Sequence, residues 1–499
     1  MAKRKAVLYC DAAPGVGLGH LMRCLALAQV ARARGWEADV VGDIDPSALA
    51  AAARVAPDVV VRSRPVGPGE LSDAADVLHL DTYADLPDLR SGRHLLSNMQ
   101  DGAFGARSAD LVIDGTLGAE RSFRVTAEDG AARLVGIDAA VIRQQVLRQR
   151  DRAAVTSHRP RVLVVMGGTD PQGATAAAIA ALSAVGTSID VTVVDTASWP
   201  EVRAAAAASP HRIEIRGFVD DLPALAGEHD FVVTAAGTSV WDYACMGLPM
   251  ALVCVVDNQR DGYREAVAGG LALGLGEPKD IATPAAVSAL EAILRDPDER
   301  ARQRERLRCS VDGLGAWRIV SAWEQLLEVP VRKMPGKVLT ARRARMADAD
   351  LLREWRNDAV TRAYSRTQGE IDRAAHVEWL RSSLGSPDRT LLVVEDDGEP
   401  VGTVRWDRDG RADWIASITV APQQRGRGIA ASVLAAGEEA IADAAPMRFL
   451  ADIREDNSAS RRLFARAGYL PQLPADAHGY ARYAKWRFLA GPGLRADPR

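Results

Sequence analysis

Residues 17–24 read GLGHLMRC, between an apolar run, Lys5 to Tyr9, and a long apolar-periodic stretch, Leu21 to Ala33. That order predicts a strand, a tight turn and a helix. Glycine lets such a turn close and approach a ligand. The helix start offers unpaired N–H groups and a positive dipole end, which suit a diphosphate. His20 falls in the first turn, where the dipole disfavours an imidazolium, so the ring is expected to be neutral and available as a base. The same residues also suit an ordinary strand–helix turn with His20 as a cap or packing residue, and the motif alone does not choose.

Outward from this turn the pattern repeats. Ala6–Tyr9 and Ala38–Val41 read as strands around a helix from His20 to Arg34, with Gly35 as its stop. Val77–Leu80, Leu111–Ile113 and Arg133–Val135 are further short apolar runs. After SHRPR (157–161) the alternation restarts with VLVVM (162–166), VTVVD (191–195), IEIRG (213–217), FVVT (231–234) and MALVCVV (250–256). Alternation of this kind predicts parallel strands with crossover helices. Two such halves predict ligand binding in a cleft at the carboxyl ends of the strands. A polar break, PVRKMPGK (330–337), precedes a segment richer in Trp and Arg. The expected fold class is α/β: Rossmann-like domains at 1–157 and 158–329, a linker at 330–337, and an α+β domain at 338–499.

Composition narrows the function. The 499 residues are 47% hydrophobic and 26% charged with net charge −4, a soluble globular balance without the basic field that recruits nucleic acid or anionic membrane. The five cysteines are scattered without CxxC pairs, which suits reduced thiols in a cytosol. The apolar run after the basic start is too short for a signal sequence, and no stretch approaches the ~20 apolar residues of a spanning helix. A cytoplasmic location is expected.

Four loops after strands carry candidate chemistry. One holds Asp11, Gly17, Gly19, His20 and Arg23; another, HLDTY (79–83), holds Asp81 and Tyr83. MGGTDPQG (166–173) offers backbone amides at Gly167 and Gly168. AAGTSVWDYACMGLPM (235–250) puts Gly237, Thr238 and Ser239 at a strand–helix turn suited to phosphate, with Asp242 in reach of ribose hydroxyls. Each has a plainer reading. Asp170 before Pro171, and Thr238 or Ser239, suit helix caps; Asp81 suits a turn; and of the pair Asp43 and Asp45, the second stands before Pro46 as an N-cap rather than a metal ligand. Their recurrence at strand ends in both halves favours a nucleotide-sugar site.

The series DAAPGVGLGHLMRCLALA, MGGTDP, GTSVWDYACMGLP, DNQ and VDGLGAWR (311–318), in that order, resembles the UDP-2,4-diacetamido-2,4,6-trideoxy-β-L-altropyranose hydrolases of pseudaminic acid biosynthesis. That family is similar in fold to GT-B glycosyltransferases, including the peptidoglycan N-acetylglucosaminyl transferase. The resemblance implies attack of water on the anomeric carbon, loss of UDP and inversion. It implies His20 as base, Tyr83, Asn258 and Gln259 near the sugar, and Gly237 to Ser239 on the diphosphate, with no metal. Asp242 stands where the family usually carries Glu, and Ala139 where Tyr is common.

In the last domain, WIASITVAPQQRGRGIAASVLAAGEEAI (414–441) reads as strand, amide-rich loop and helix. With DNSASRRLFARAGYL (456–470) it resembles the GNAT N-acetyltransferases. This implies acetyl-CoA as cosubstrate, held by Ile418, Val420, Arg425, Gly426, Arg427, Gly428, Ala430, Asn457, Ser460 and Phe464. Phe464 stands where related sugar acetyltransferases often place an acidic Tyr, which leaves Tyr364, Tyr469 or water as proton donor. Ser417 is the inward polar candidate on the strand. The two motif sets together predict one chain that acetylates a UDP-4-amino-sugar and removes UDP from the diacetamido product. The rivals are a GT-B glycosyltransferase using a UDP-amino sugar, and a non-catalytic nucleotide-sugar-binding module serving the acetyltransferase.

Overall fold

The computed structural model describes residues 3–12, 18–63, 75–90, 93–122, 130–151, 159–167, 170, 172–331, 337–410, 412–441 and 446–488. Gly17, Gly168, most of the 330–337 linker and the start of SHRPR lie outside them. The chain forms two compact units, Met1–Ser122 with Leu134–Val320, and Phe123–Arg133 with Ser321–Arg499. The division falls inside the helix Gly315–Glu328.

The first sheet contains β1 (Lys5–Cys10), β2 (Glu37–Gly42), β3 (Val60–Ser63), β4 (Val77–Asp81), β5 (Leu95–Gln100), β6 (Leu111–Asp114) and β7 (Ala132–Val135), in spatial order β3-β2-β1-β4-β5-β6-β7. The second contains β8 (Arg161–Val165), β9 (Asp190–Val194), β10 (Arg212–Arg216), β11 (Phe231–Ala235), β12 (Met250–Val253) and β13 (Leu273–Gly274), in order β10-β9-β8-β11-β12-β13. Both are Rossmann-like: the order reverses between β1 and β4, and again between β8 and β11. Loops at such reversals diverge and leave a crevice. The strands pair in parallel, and central ones such as β1, β8, β11 and β12 read as apolar runs because they are buried on both faces.

The sequence reading had omitted β3, β5 and β13. β5 is LLSNMQ, whose polar residues disguise a strand buried from Leu96 onward. Its side chains are satisfied inside: Asn98 donates to Gly105 O at 3.0 Å, Gln100 to Gly102 O at 2.9 Å, and Ser97 meets His79 Nδ1 at 3.0 Å.

The third sheet is mixed α+β: β14 (Thr340–Arg343), β15 (Arg389–Asp396), β16 (Glu399–Arg408), β17 (Asp413–Val420), β18 (Met447–Arg454), β19 (Leu470–Leu473) and β20 (Tyr480–Arg487), in order β14-β15-β16-β17-β18-β20-β19. Only β17 and β18 pair in parallel, and only where Asp413–Ile415 meet Arg448–Leu450. Beyond Ile415 the two strands part, so one edge of β17 from Ala416 to Val420 has no partner in β18. One face of the sheet packs Val404, Trp406, Ala416, Phe449 and Phe464 into a core; Leu391 and Val393 meet the helices Ala349–Asn357 and Arg373–Gly385 on the other.

Candidate functional site

A cavity of about 280 Å³ opens at the carboxyl ends of the first two sheets. The turn after β1 delivers Gly19, His20 and Arg23, the loop after β4 Tyr83, and the loop after β5 Asp101. From the second sheet come Gly237, Thr238 and Trp241 after β11, and Asn258 and Gln259 after β12. A connecting segment adds Ala139, Ala140 and Val141.

His20 is the second residue of the helix Gly19–Ala33 and is 5% exposed. Its Nδ1 lies 2.5 Å from Asp81 Oδ1 at the end of β4. A carboxylate only accepts, so the proton is assigned to Nδ1 and Nε2 is left as the basic nitrogen. The ring sits edge-on to Tyr83, centroids 4.6 Å apart. The sequence reading derived the state of His20 from the helix dipole alone. The structure adds a buried carboxylate, which orients the ring.

Arg23 is expected above as a ligand-binding residue; its guanidinium is largely committed inside the protein. It donates to Asp81 through Nε at 2.9 Å and Nη2 at 2.7 Å, and to Asp101 through Nη1 at 2.8 Å. Tyr83 donates its phenol to Asp101 Oδ2 at 2.6 Å. Burial alone would raise both acids, but the Arg23 charge reverses this and holds Asp81 well below the usual carboxylate range and Asp101 below its ordinary value. Burial, then the charge of Asp101, push the Tyr83 phenol up, so it stays a donor. Asp101 was missed because it follows the disguised strand β5.

Opposite this array, the helix Ser239–Met246 begins with Thr238 at its N-cap, but the Thr238 side chain makes no capping bond. The first amides with main-chain acceptors are Val240, donating to Gly237 O, and Trp241, donating to Thr238 O. Gly237 and Thr238, just before them, border the cavity. A side chain at Gly19 would lie 3.3 Å from Thr238 Oγ1, so glycine lets the two turns approach. Gln259 accepts from Val255 N at 3.0 Å, which fixes its amide beside the turn.

Other expected residues lie outside the lining. Asp11 accepts from the Thr82 hydroxyl. Asp81 acts through His20. Ser239 lies within the helix. Asp242 is buried and accepts from Arg143, so its carboxylate is paired instead of presented to a ribose. Asp170 caps the helix Ala174–Ser183 by accepting from Ala174 N at 2.9 Å and Thr175 N at 2.8 Å, and Asp45 caps Pro46–Val55. Cys24, His79 and Asp81 bring ligand atoms within 4.8 Å of one another. Asp81 already serves His20 and Arg23, and burial pushes the Cys24 thiol well up, a poor donor set for a cation. The VDGLGAWR segment supports the cavity wall. Arg318, 1% exposed, donates to Asp138 O and to Asp312 Oδ1, each at 2.9 Å, and any Cβ at Gly315 would overlap the Ala140 carbonyl.

In the third sheet the loop 424–429 turns through Gly426 and Gly428, with φ of 77° and 75°, before the helix Ala430–Ala440. Left-handed glycines there leave a run of amides at a helix start, a phosphate cradle made of main chain. The side chains do other work. Arg425 donates to Asp358 Oδ2 at 2.6 Å and Thr361 Oγ1 at 2.8 Å, and Arg427 to Gln424 at 2.8 Å. Asn457 caps its helix by accepting from Ser460 N at 3.1 Å. Phe464 is a core residue, 3% exposed and edge-on to Tyr469 at 4.8 Å, so it faces no ligand. Tyr469 is fully buried and donates to Glu438 at 2.9 Å; burial pushes its phenol far up, which removes it as proton donor. Ser417 is exposed on the face opposite Ala416, not inward. Tyr364 is exposed.

Residues 349–469 match the acetyltransferase (GNAT) family. The chain is 23% identical over 232 residues to the spore coat polysaccharide biosynthesis protein SpsG of Bacillus subtilis (strain 168), covering 44% of this chain and 66% of that protein, just under two thirds of its length. Among solved structures, MurG of Acinetobacter baumannii aligns over 64% of this chain and 99% of its own at 14% identity and a TM-score of 0.46. The spermidine N-acetyltransferase of Vibrio cholerae, solved with CoA and spermine, aligns over 30% and 95% at 14% identity and a TM-score of 0.27. No helix among the described residues is long and apolar enough to cross a membrane.

Proposed function

We propose that the chain is a bifunctional nucleotide-sugar enzyme of pseudaminic-acid-type biosynthesis. The third domain acetylates a UDP-4-amino-sugar with acetyl-CoA, and the first two hydrolyse UDP from the diacetamido product with inversion. The observation that carries the hydrolytic reading is the Asp81–His20 pair facing an uncapped glycine turn across one cavity. His20 Nε2 takes the proton of water as the oxygen attacks the anomeric carbon, and Asp81 stabilises the resulting imidazolium. The Gly237–Ser239 turn receives the departing diphosphate, its amides and the Thr238 hydroxyl meeting negative charge as the C–O bond breaks. Asn258 and Gln259 contact the sugar. Arg23 and Asp101 hold His20 and Tyr83 in register. In the third domain, the amides of 425–430 hold the pyrophosphate of acetyl-CoA, and the unpaired edge of β17 at Ile418 and Val420 hydrogen-bonds the pantetheine arm.

The test is product formation by the full chain in buffer without a sugar acceptor. UDP released from the UDP-diacetamido-sugar, with inverted configuration by NMR, is the expected result. UDP formed only when an acceptor is added would make the first half a glycosyltransferase. Binding without turnover, indifferent to His20→Ala, would make it a binding module. CoA thiol release with UDP-4-amino-sugar tests the acetyl transfer separately.

A further inference from the structure

Arg405 projects from β16 on the face away from the Val404 and Trp406 core. Cross-strand register places it between Leu391 of β15 and Ser417 of β17. Directly opposed residues share a face, so these three form a row leading from the packed helices to the fork. The helix Ala349–Asn357 covers the Leu391 end of that row through Leu352, and it also contacts β17. Arg356 lies on its last turn. Arg356 Nη2 donates to Thr367 O at 2.6 Å, while Nη1 is buried with no acceptor among the described residues. Arg362, just beyond, gives Nε to Asn357 O at 3.1 Å and Nη1 to Gln368 O at 3.3 Å, and its Nη2 lies 3.4 Å from the exposed Glu370. Arg405 gives only Nε to Asp407, at 2.8 Å, and Asp407 is shared with Arg389.

Burial, then the charges of Arg405 and Arg362, hold the Arg356 guanidinium below its ordinary value. Like charges are thus gathered around an orphan donor, an arrangement that stays costly until an anion arrives. Planar guanidinium groups favour phosphate oxygens, which they bind in pairs.

We infer that Arg356, Arg362 and Arg405 form a phosphate site on the helix-bearing face of the acetyltransferase sheet, beside the end of the helix Ala349–Asn357, which takes the diphosphate of a nucleotide-linked amine acceptor. The inference rests on the acetyl transfer proposed above and names what recognises its acceptor. Acetyl-CoA also carries phosphate, so the experiment separates the two sources.

Inorganic pyrophosphate titrated calorimetrically into the full chain reads the site without turnover. Arg356→Gln and Arg405→Gln are each expected to weaken one binding event about tenfold or more. Arg356→Lys should keep part of it. Unchanged affinity in both Gln variants overturns the site. Kinetically, pyrophosphate should compete with the amine, separately from any competition with acetyl-CoA at the 425–430 amides, and the UDP-linked amine should have a KM at least about tenfold below that of the same amino sugar freed of UDP. The Gln variants should erase that difference and leave the KM for acetyl-CoA unchanged. No competition with the amine, competition that survives in both Gln variants, or equal KM values for the two amines, refutes the assignment. Pyrophosphate binding lost in the variants, with neither amine acetylated, would uphold the site and sink the acetyl-transfer reading instead.

Discussion

The cleft after β1 and β4 and the fork between β17 and β18 solve ligand binding in different ways. In the cleft, side chains are bound to one another: His20 to Asp81, Arg23 to Asp81 and Asp101, Tyr83 to Asp101. At the fork, the motif side chains face the scaffold. Arg425 ties its loop to Asp358, Asn457 caps a helix and Phe464 fills the core. What remains there for the proposed acetyl-CoA is main chain: left-handed glycines, a helix start and an unpaired strand edge. A motif can therefore mark a site although few of its side chains touch the ligand.

The comparison makes its largest demand at His20. Replacing it with Ala should lower kcat for UDP release by about 10²–10⁴-fold, the usual worth of a general base. CoA thiol release should not change. A loss below tenfold in UDP release would place the chemistry elsewhere and remove the contrast between the two regions.

Phe464→Ala sharpens the other side. A large buried aromatic removed from a core costs about 3–5 kcal/mol, read as a shifted denaturation midpoint of the third domain. The KM for acetyl-CoA of the protein that remains folded should stay within twofold. A raised KM with intact stability would return Phe464 to the binding site.

These contrasts also explain what the sequence made legible. Buried parallel strands such as Lys5–Cys10 and Phe231–Ala235 are plain because both faces are apolar, and the glycine turns are plain because few residues can adopt them. The partners of His20 were not. Asp81 stands 61 positions from His20, and local pattern carries no trace of a pairing made by two parallel strands. Asp101 lay beyond a strand whose Ser97, Asn98 and Gln100 imitate a loop. In the third domain the glycine loop was legible, but the work of several side chains around it was not, since capping and packing leave the same letters as binding.

The buried floor of the cleft is tested by pH. His79, beneath the array on β4, is wholly buried, and burial lowers its imidazole from 6.5 to about 4. Between those values the unfolded chain binds a proton that the fold refuses, so stability falls as pH falls across that window. The loss reaches about 3 kcal/mol at the acid end by linkage. Asp81 and Asp101, held low, add their own loss from about pH 5 downward, as their unfolded carboxyls protonate, so the acid end of the window carries both contributions. Denaturant melts from pH 7 to 4 should show the slope, and His79→Gln should make it shallower, the lowered His229 and His376 keeping part of it. A flat wild-type profile would mean that the floor admits a proton or water and is less rigid than the cleft geometry requires.

The smallest effect is the most discriminating for the fork. Asn457 accepts one amide hydrogen, that of Ser460, at the start of the helix Ser458–Arg466. If capping is its work, Asn457→Ala costs about 1 kcal/mol of third-domain stability, Asn457→Asp costs little, and neither alters the KM for acetyl-CoA. If the side chain instead holds the cosubstrate, Ala leaves the melting midpoint near the wild-type value and raises that KM. The two roles move different observables, so one pair of variants decides whether the fork binds acetyl-CoA through its main chain alone. A KM increase of tenfold at constant stability would make the fork resemble the cleft, with side chains carrying the recognition.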